Sequence, residues 1–180
     1  MKDKFTLVAG LIAVIWIVFI IDLILPIALN SYGIVPRTTG GLVGIITSPF
    51  LHGGWGHILS NTVPLFFLSL TLVFFYEKSA IPAIALIVLL GGAMVWGFGR
   101  FANHIGASGL IFGLMGFLLM IGIFRRDFKS ILISVIIFLT YGGSMLFGIL
   151  PGQRGISWEG HLFGAIAGGI TAFLFRKERV

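Results

Sequence analysis

Cysteine is absent from the 180-residue sequence, so disulfides, thiolate metal sites and a cysteine nucleophile are excluded. Acid is scarce as well: six Asp and Glu stand against twelve Lys and Arg, and only 10% of residues are charged, where a soluble domain carries about 25%. A chain that is 58% hydrophobic cannot cover its apolar surface with so few charges. There is no detectable internal repeat and no low-complexity linker. What the sequence does have is long apolar runs and 26 glycines. Crossing a hydrocarbon layer of about 30 Å takes about 20 apolar residues in a helix. The length therefore suits one all-α membrane domain over residues 1–180, with nothing left for a soluble one.

Apolar runs bounded by polar, Gly or Pro clusters predict six spans, near Phe5–Leu29, Gly56–Tyr76, Ile81–Phe98, Ser108–Phe124, Ile131–Leu150 and Trp158–Phe175. The first follows a charged start, Met1-Lys2-Asp3-Lys4, but is too long for a signal peptide and lacks a small-x-small cleavage site, so it reads as a retained anchor. With six spans, Lys2, Lys4, Lys78, Arg125, Arg126, Lys129, Arg176, Lys177 and Arg179 fall on one side, and Arg37, Arg100 and Arg154 on the other. The positive-inside rule then puts both termini in the cytoplasm. The net charge of +6 is thus an orientation signal, and its scatter over membrane-flanking turns argues against nucleic acid as a partner. Lipid headgroups are the expected neighbours of these basic clusters. The longest stretch outside the spans, Asn30 to Trp55, is rich in Gly, Pro and Thr yet fairly apolar, which suits a segment lying in the outer interface.

Polar groups inside spans are costly and point to function. Span two carries His57 and Asn61 in its first turns, span four carries Ser108, and span six carries His161 after Glu159. These three spans run parallel, so the four side chains share one depth near the outer face. His57 and Asn61 are spaced i, i+4 on one helix face. Gly160, Gly164 and Gly168 on span six, with Gly109, Gly113 and Gly116 on span four, permit the close backbone approach that would bring Ser108 towards His161. A serine hydroxyl becomes nucleophilic when a neutral imidazole takes its proton. The oxyanion then requires donors, available from Asn61, His57 and the backbone N–H groups around Gly106 to Ser108. No acid is placed to orient His161, since Glu159 projects from the other side of the helix and Asp127 lies at the cytoplasmic end. A Ser–His dyad is expected.

The segments His52-Gly53-Gly54-Trp55-Gly56-His57-Ile58-Leu59-Ser60-Asn61, Gly106-Ala107-Ser108-Gly109 and Gly160-His161, in that order on spans two, four and six, resemble the rhomboid intramembrane serine proteases. The resemblance implies a six-helix bundle with Ser108 as nucleophile, His161 as base, Asn61 and His57 as oxyanion donors, and Phe112, one turn after the serine, packed on the base. It implies no cofactor and no metal. It also implies that the substrates are transmembrane segments of other proteins, cut near their outer ends with water admitted from outside, in what is expected to be a bacterial cell membrane. Many rhomboids carry a Trp-Arg pair in the loop after span one; this sequence offers only Pro36-Arg37 there.

Other readings of the same residues are plainer. Ser108 beside glycine suits helix packing, His52 suits a loop-fixing hydrogen bond, and His104, four residues before Ser108, competes for the role of base. Asp22 is expected to meet water or a nearby donor, Pro64 to kink span two, and Pro82 to sit in a helix first turn. A zinc or haem site would draw on His52, His57, His104 and His161 but lacks an HExxH pair. A transporter would be expected to show an inverted repeat. The nearest alternative is a non-catalytic rhomboid-like protein that binds transmembrane helices. The lateral gate for a substrate is expected near span five, where Tyr141-Gly142-Gly143 and Pro151-Gly152 suggest looseness.

Overall fold

Proline stops the first helix before its apolar residues run out. In the computed structural model, which describes residues 2–152 and 155–178, α1 spans Lys2–Ile24 and breaks two residues ahead of Pro26. A residue preceding proline is driven out of the helical region, so the expected span to Leu29 is shortened. Asp22 fastens the break, accepting from the Leu29 backbone N–H and, at 2.6 Å, from Asn30 Nδ2. Arg154 and Arg179, both counted in the charge balance, lie outside the described residues.

Four short helical turns follow, the only α-helical one being α2 (Gly44–Thr47); then come α3 (Trp55–Phe75), α4 (Glu77–Phe98), α5 (Ser108–Arg125), α6 (Phe128–Gly148) and α7 (Trp158–Phe175). The described residues form no strand; one isolated antiparallel bridge joins Ile34 to His104. Helix α4 starts four residues earlier than expected, directly after the buried Tyr76, so Pro82 lies inside the helix and not in its first turn. Pro64 is likewise internal to α3, where it withholds one backbone donor from the ladder. Among the described residues two helix starts carry side-chain caps: Asp127 accepts from Ser130 N–H at 3.0 Å, and Ser157 from Gly160 N–H at 3.2 Å.

Helix α5 is central. Every residue from Leu110 to Leu118 is buried, with α3, α4, α6 and α7 packed around it. Its closest neighbour is α7. A Cβ on Gly164 would collide with the Gly109 carbonyl, and one on Gly168 with the Gly113 carbonyl and, at 2.7 Å, with Phe117 N. In lipid, where apolar side chains gain little from leaving one apolar medium for another, such backbone contact is what holds two helices together. Peripheral α1 packs mainly on α3, through Trp16 Nε1 donating to Thr62 Oγ1 at 3.1 Å and a Trp16, Phe19, Trp55 ring cluster.

Among the described residues five helices, α1, α3, α4, α5 and α6, are long and apolar enough to cross a membrane. The sequence reading expects six, and α7 is the one that falls short. The reason is local: Glu159, His161 and four glycines occupy its 18 residues, and the helix is shielded by α4, α5 and α6.

Candidate functional site

Gly106 is where the site begins. Its φ of +115° is a conformation that side chains rarely adopt, and a Cβ there would sit 2.6 Å from His57 Cε1 and 3.6 Å from Asn61 Nδ2. Glycine therefore lets the chain pass against the histidine and asparagine of α3 and then turn into α5, whose first residue is Ser108. The loop after α1 braces this passage. Ile34 and His104 exchange backbone hydrogen bonds of 3.0 and 2.9 Å, and Gly106 N–H donates to the Ser48 carbonyl at 2.9 Å.

That last bond corrects one expectation. With its N–H taken by Ser48, Gly106 cannot donate to an oxyanion, and the next amide, Ala107 N–H, donates to His52 Nε2 at 3.4 Å. The Ser108 N–H, at the start of α5, is the first amide in this run with no acceptor among the described residues. Gly106 shapes the turn, and its N–H is taken.

Ser108, His161, His57 and Asn61 line a single open cavity of about 700 Å³ at the end of the bundle that carries the loops after α1, α4 and α6. The His161 ring lies flat on Phe112, with centroids 4.0 Å apart and planes 5° from parallel. Its Nδ1 is 2.9 Å from the Gly148 carbonyl. No hydrogen bond joins Ser108 to His161 among the described residues, and the Ser108 hydroxyl has no other partner. A second cleft, of about 320 Å³, leads sideways from the same Ser108 and His161 between α3 and α6, past Val63, Pro64, Tyr141 and Ser144.

The remaining histidines are committed. His52 is buried and its Nε2 lies 3.1 Å from Asn61 Nδ2, so with Ala107 N–H it receives two donors on one nitrogen and holds Asn61 in place. This matches the loop-fixing role expected of it. His104 has Nδ1 2.6 Å from Ser157 Oγ and Nε2 3.0 Å from the Arg100 carbonyl, which leaves no free nitrogen to act as a base. Glu159 is buried on the far side, 3.5 Å from Arg100 Nε, as its helical position requires. Among the described residues no three His, Asp or Glu gather where they could hold a metal ion.

The loop lacks a Trp-Arg pair in sequence but is fastened in space by an arginine and a tryptophan from different segments. Arg37 Nη1 donates to the Gly99 carbonyl at 2.9 Å, while Trp96, from α4, donates its indole N–H to the Thr38 carbonyl at 2.8 Å. No sequence signal links Trp96 to this loop, nor Ser48 and Gly148 to the site, because their parts are played through main-chain carbonyls or across distant segments.

Burial, and then the neighbouring His57, lower the pKa of His52 from 6.5 to about 4, with the Phe50 backbone offsetting part of the effect. The folded pKa lies below the unfolded one, so the unfolded chain binds the extra proton between these values. Stability is fully present above pH 6.5 and is lost as pH falls towards 4, by up to about 3 kcal/mol from this group. Thermal unfolding in detergent at pH 7.5 and 4.5 should show that loss, and His52→Gln should shrink it; an equal loss in both proteins would show that His52 is not its source.

Comparison with known proteins gives the same direction. A family model described as the Rhomboid domain matches residues 39–178, which leaves α1 outside the match. The chain is similar to an uncharacterized protein of Mycobacterium tuberculosis (strain ATCC 25618 / H37Rv), 39% identical over 187 residues that cover 97% of this chain and 78% of that protein. An uncharacterized protein of Mycobacterium leprae (strain TN) is 37% identical over 180 residues, covering 93% and 71%. A Bacillus subtilis (strain 168) protein named "Putative rhomboid protease YdcA" is 28% identical over 193 residues, covering 97% and 90%.

Proposed function

Because the chain belongs to the rhomboid family and is an integral membrane protein, we propose that it is a serine endopeptidase that hydrolyses peptide bonds in or near transmembrane segments of other membrane proteins. The observation that carries this reading is the meeting of Ser108, His161, Asn61 and His57 in one cavity that opens at the loop end of an otherwise apolar bundle. A substrate helix enters through the cleft between α3 and α6, and water enters from the loop end. The entering segment unwinds, since a peptide bond inside a helix is shielded and internally hydrogen-bonded.

Ser108 Oγ passes its proton to His161 Nε2 and attacks the carbonyl carbon. The oxyanion is held by the Ser108 N–H, the Asn61 amide hydrogen not used by His52, and a His57 N–H. His161 returns the proton to the departing amine, and water repeats the sequence on the acyl-enzyme. The basic residues flanking α1, the turn between α5 and α6 and the end of α7 support a reading in which both termini face the cytoplasm of a bacterial cell and cutting occurs near the outer face.

Removal of the amide in Asn61→Ala is expected to lower kcat by about 10²- to 10³-fold with KM little changed, the usual effect of losing one oxyanion donor. A change confined to KM would assign Asn61 to binding. The whole reading is tested with purified protein in liposomes, a serine-directed fluorescent probe and a model transmembrane substrate. The expected result is two substrate fragments and a probe adduct on the peptide that contains Ser108. An unlabelled Ser108 in a folded protein that cuts no transmembrane substrate would favour a helix-binding member without catalysis, a reading to which the missing Ser108 to His161 hydrogen bond lends some support.

A further inference from the structure

The base assigned above has no acid beside it, yet its ring is held on two sides. One is the stack on Phe112, and the other is the Gly148 carbonyl 2.9 Å from Nδ1. Gly148 is the last residue of α6, and the final carbonyls of a helix have no intrahelical partner, so this oxygen is free to accept. A carbonyl can only accept. Nδ1 must therefore carry the proton, which leaves the lone pair on Nε2, the nitrogen a dyad needs facing its serine.

The absence of a side chain at Gly148 is what allows this approach. A Cβ there would fall 2.8 Å from Phe112 Cε1 and 3.2 Å from His161 Nδ1, and closer still to Phe112 Cζ. The helix that brings this carbonyl is secured unevenly along its length. At the cytoplasmic end, buried Ser130 accepts from Tyr76 at 3.1 Å and donates to Asp127 at 2.7 Å, and Ser134 Oγ lies 2.8 Å from the Leu118 carbonyl of α5. Beyond Ile137 the only buried residue of α6 is Gly142, while Leu139, Leu146 and Phe147 are exposed. The same stretch walls the lateral cleft through Tyr141 and Ser144.

We propose that the Gly148 main-chain carbonyl is the positioning group of the base, setting the tautomer and plane of His161, so that the dyad is competent only while the outer end of α6 is seated against Phe112. This rests on the reading of Ser108 and His161 as a dyad. It makes the helix that borders the entry cleft also the element that readies the base.

The test is nitrogen-15 NMR of the full chain in liposomes, labelled at histidine, with the His161 signals identified by their loss in His161→Gln. At pH 8 wild type is expected to show His161 with a protonated, hydrogen-bonded Nδ1 and a bare Nε2. Gly148→Ala, which forces the helix end away, is expected to show mixed tautomers and at least about 10-fold lower kcat with KM little changed. An Nε2-protonated His161 in wild type overturns the proposal whether or not the variant folds, and so does a Gly148→Ala protein with wild-type tautomer and kcat. In either case cleavage by wild type would leave the protease reading standing. Conversely, the expected tautomer in a protein that cleaves nothing would remove the dyad and retain the hydrogen bond.

Discussion

Ser108→Ala is expected to abolish cleavage of a transmembrane substrate, a loss on the order of 10⁴- to 10⁶-fold, while leaving the fold as stable as wild type. The two halves of that expectation have separate causes. In the proposed mechanism the hydroxyl oxygen forms and breaks the acyl bond, a part that an alanine methyl group cannot take. It also holds no hydrogen bond among the described residues, and alanine is a better helix former than serine, so its removal orphans none of their partners. Unfolding midpoints should agree within about 0.5 kcal/mol. His161→Ala should also abolish cleavage but should lower stability, because it deletes the stack on Phe112 and strands the Gly148 carbonyl. Groups that act as a unit are not additive, so the double variant should be no slower than either single one. Retention of probe labelling and cleavage by Ser108→Ala would remove the protease assignment outright.

Gly168→Ala should have the largest effect on stability. Its added methyl would meet the Gly113 carbonyl and Phe117 N, which are backbone atoms of a buried helix and cannot rotate aside. Helices α5 and α7 must separate, at a cost of about 1–3 kcal/mol or more for overpacking. Because Ser108 and His161 sit on those two helices, activity should fall with stability, and a displacement of about 1 Å is enough for a 10²-fold loss. The neighbouring Gly169→Ala is the control. A Cβ there meets only Met120 Cγ at an ordinary 3.6 Å, so the substitution should be neutral or stabilise by up to about 1 kcal/mol through helix propensity. Thermal unfolding in detergent and cleavage rates read both outcomes; equal stability of the two variants would mean that α5 and α7 are not in backbone contact.

Much of the candidate site is legible in the sequence because membrane-spanning chains write depth into their hydropathy. Once the basic residues orient the spans, His57, Asn61, Ser108 and His161 fall near one end of three parallel helices, and the glycine series on α5 and α7 indicates which two must touch. Phe112 is legible only through the family resemblance, which implies an aromatic one turn after the serine. Element ends are read less well. Pro26 cuts α1 short, α4 begins before its charged first turn has ended, and α7 looks too polar for a span because its polar residues are turned inward among α4, α5 and α6.

What the amino-acid sequence determines by itself is the helical class, the bias of basic residues from which the side of each loop is inferred, and the short list of polar residues that are costly to keep in lipid. Those follow from solvation, which each side chain carries with it. Tertiary structure alone decides which donors and acceptors remain free. It gives the Gly106 N–H to Ser48 and leaves that of Ser108 open, engages both nitrogens of His104 and leaves Nε2 of His161 with its lone pair, and brings the end of α6 against the base. Main-chain N–H and C=O groups are identical at nearly every residue. Their partners are set by how distant segments pack, and the sequence carries no mark of that choice except, at Gly106 and Gly148, the side chain that is missing.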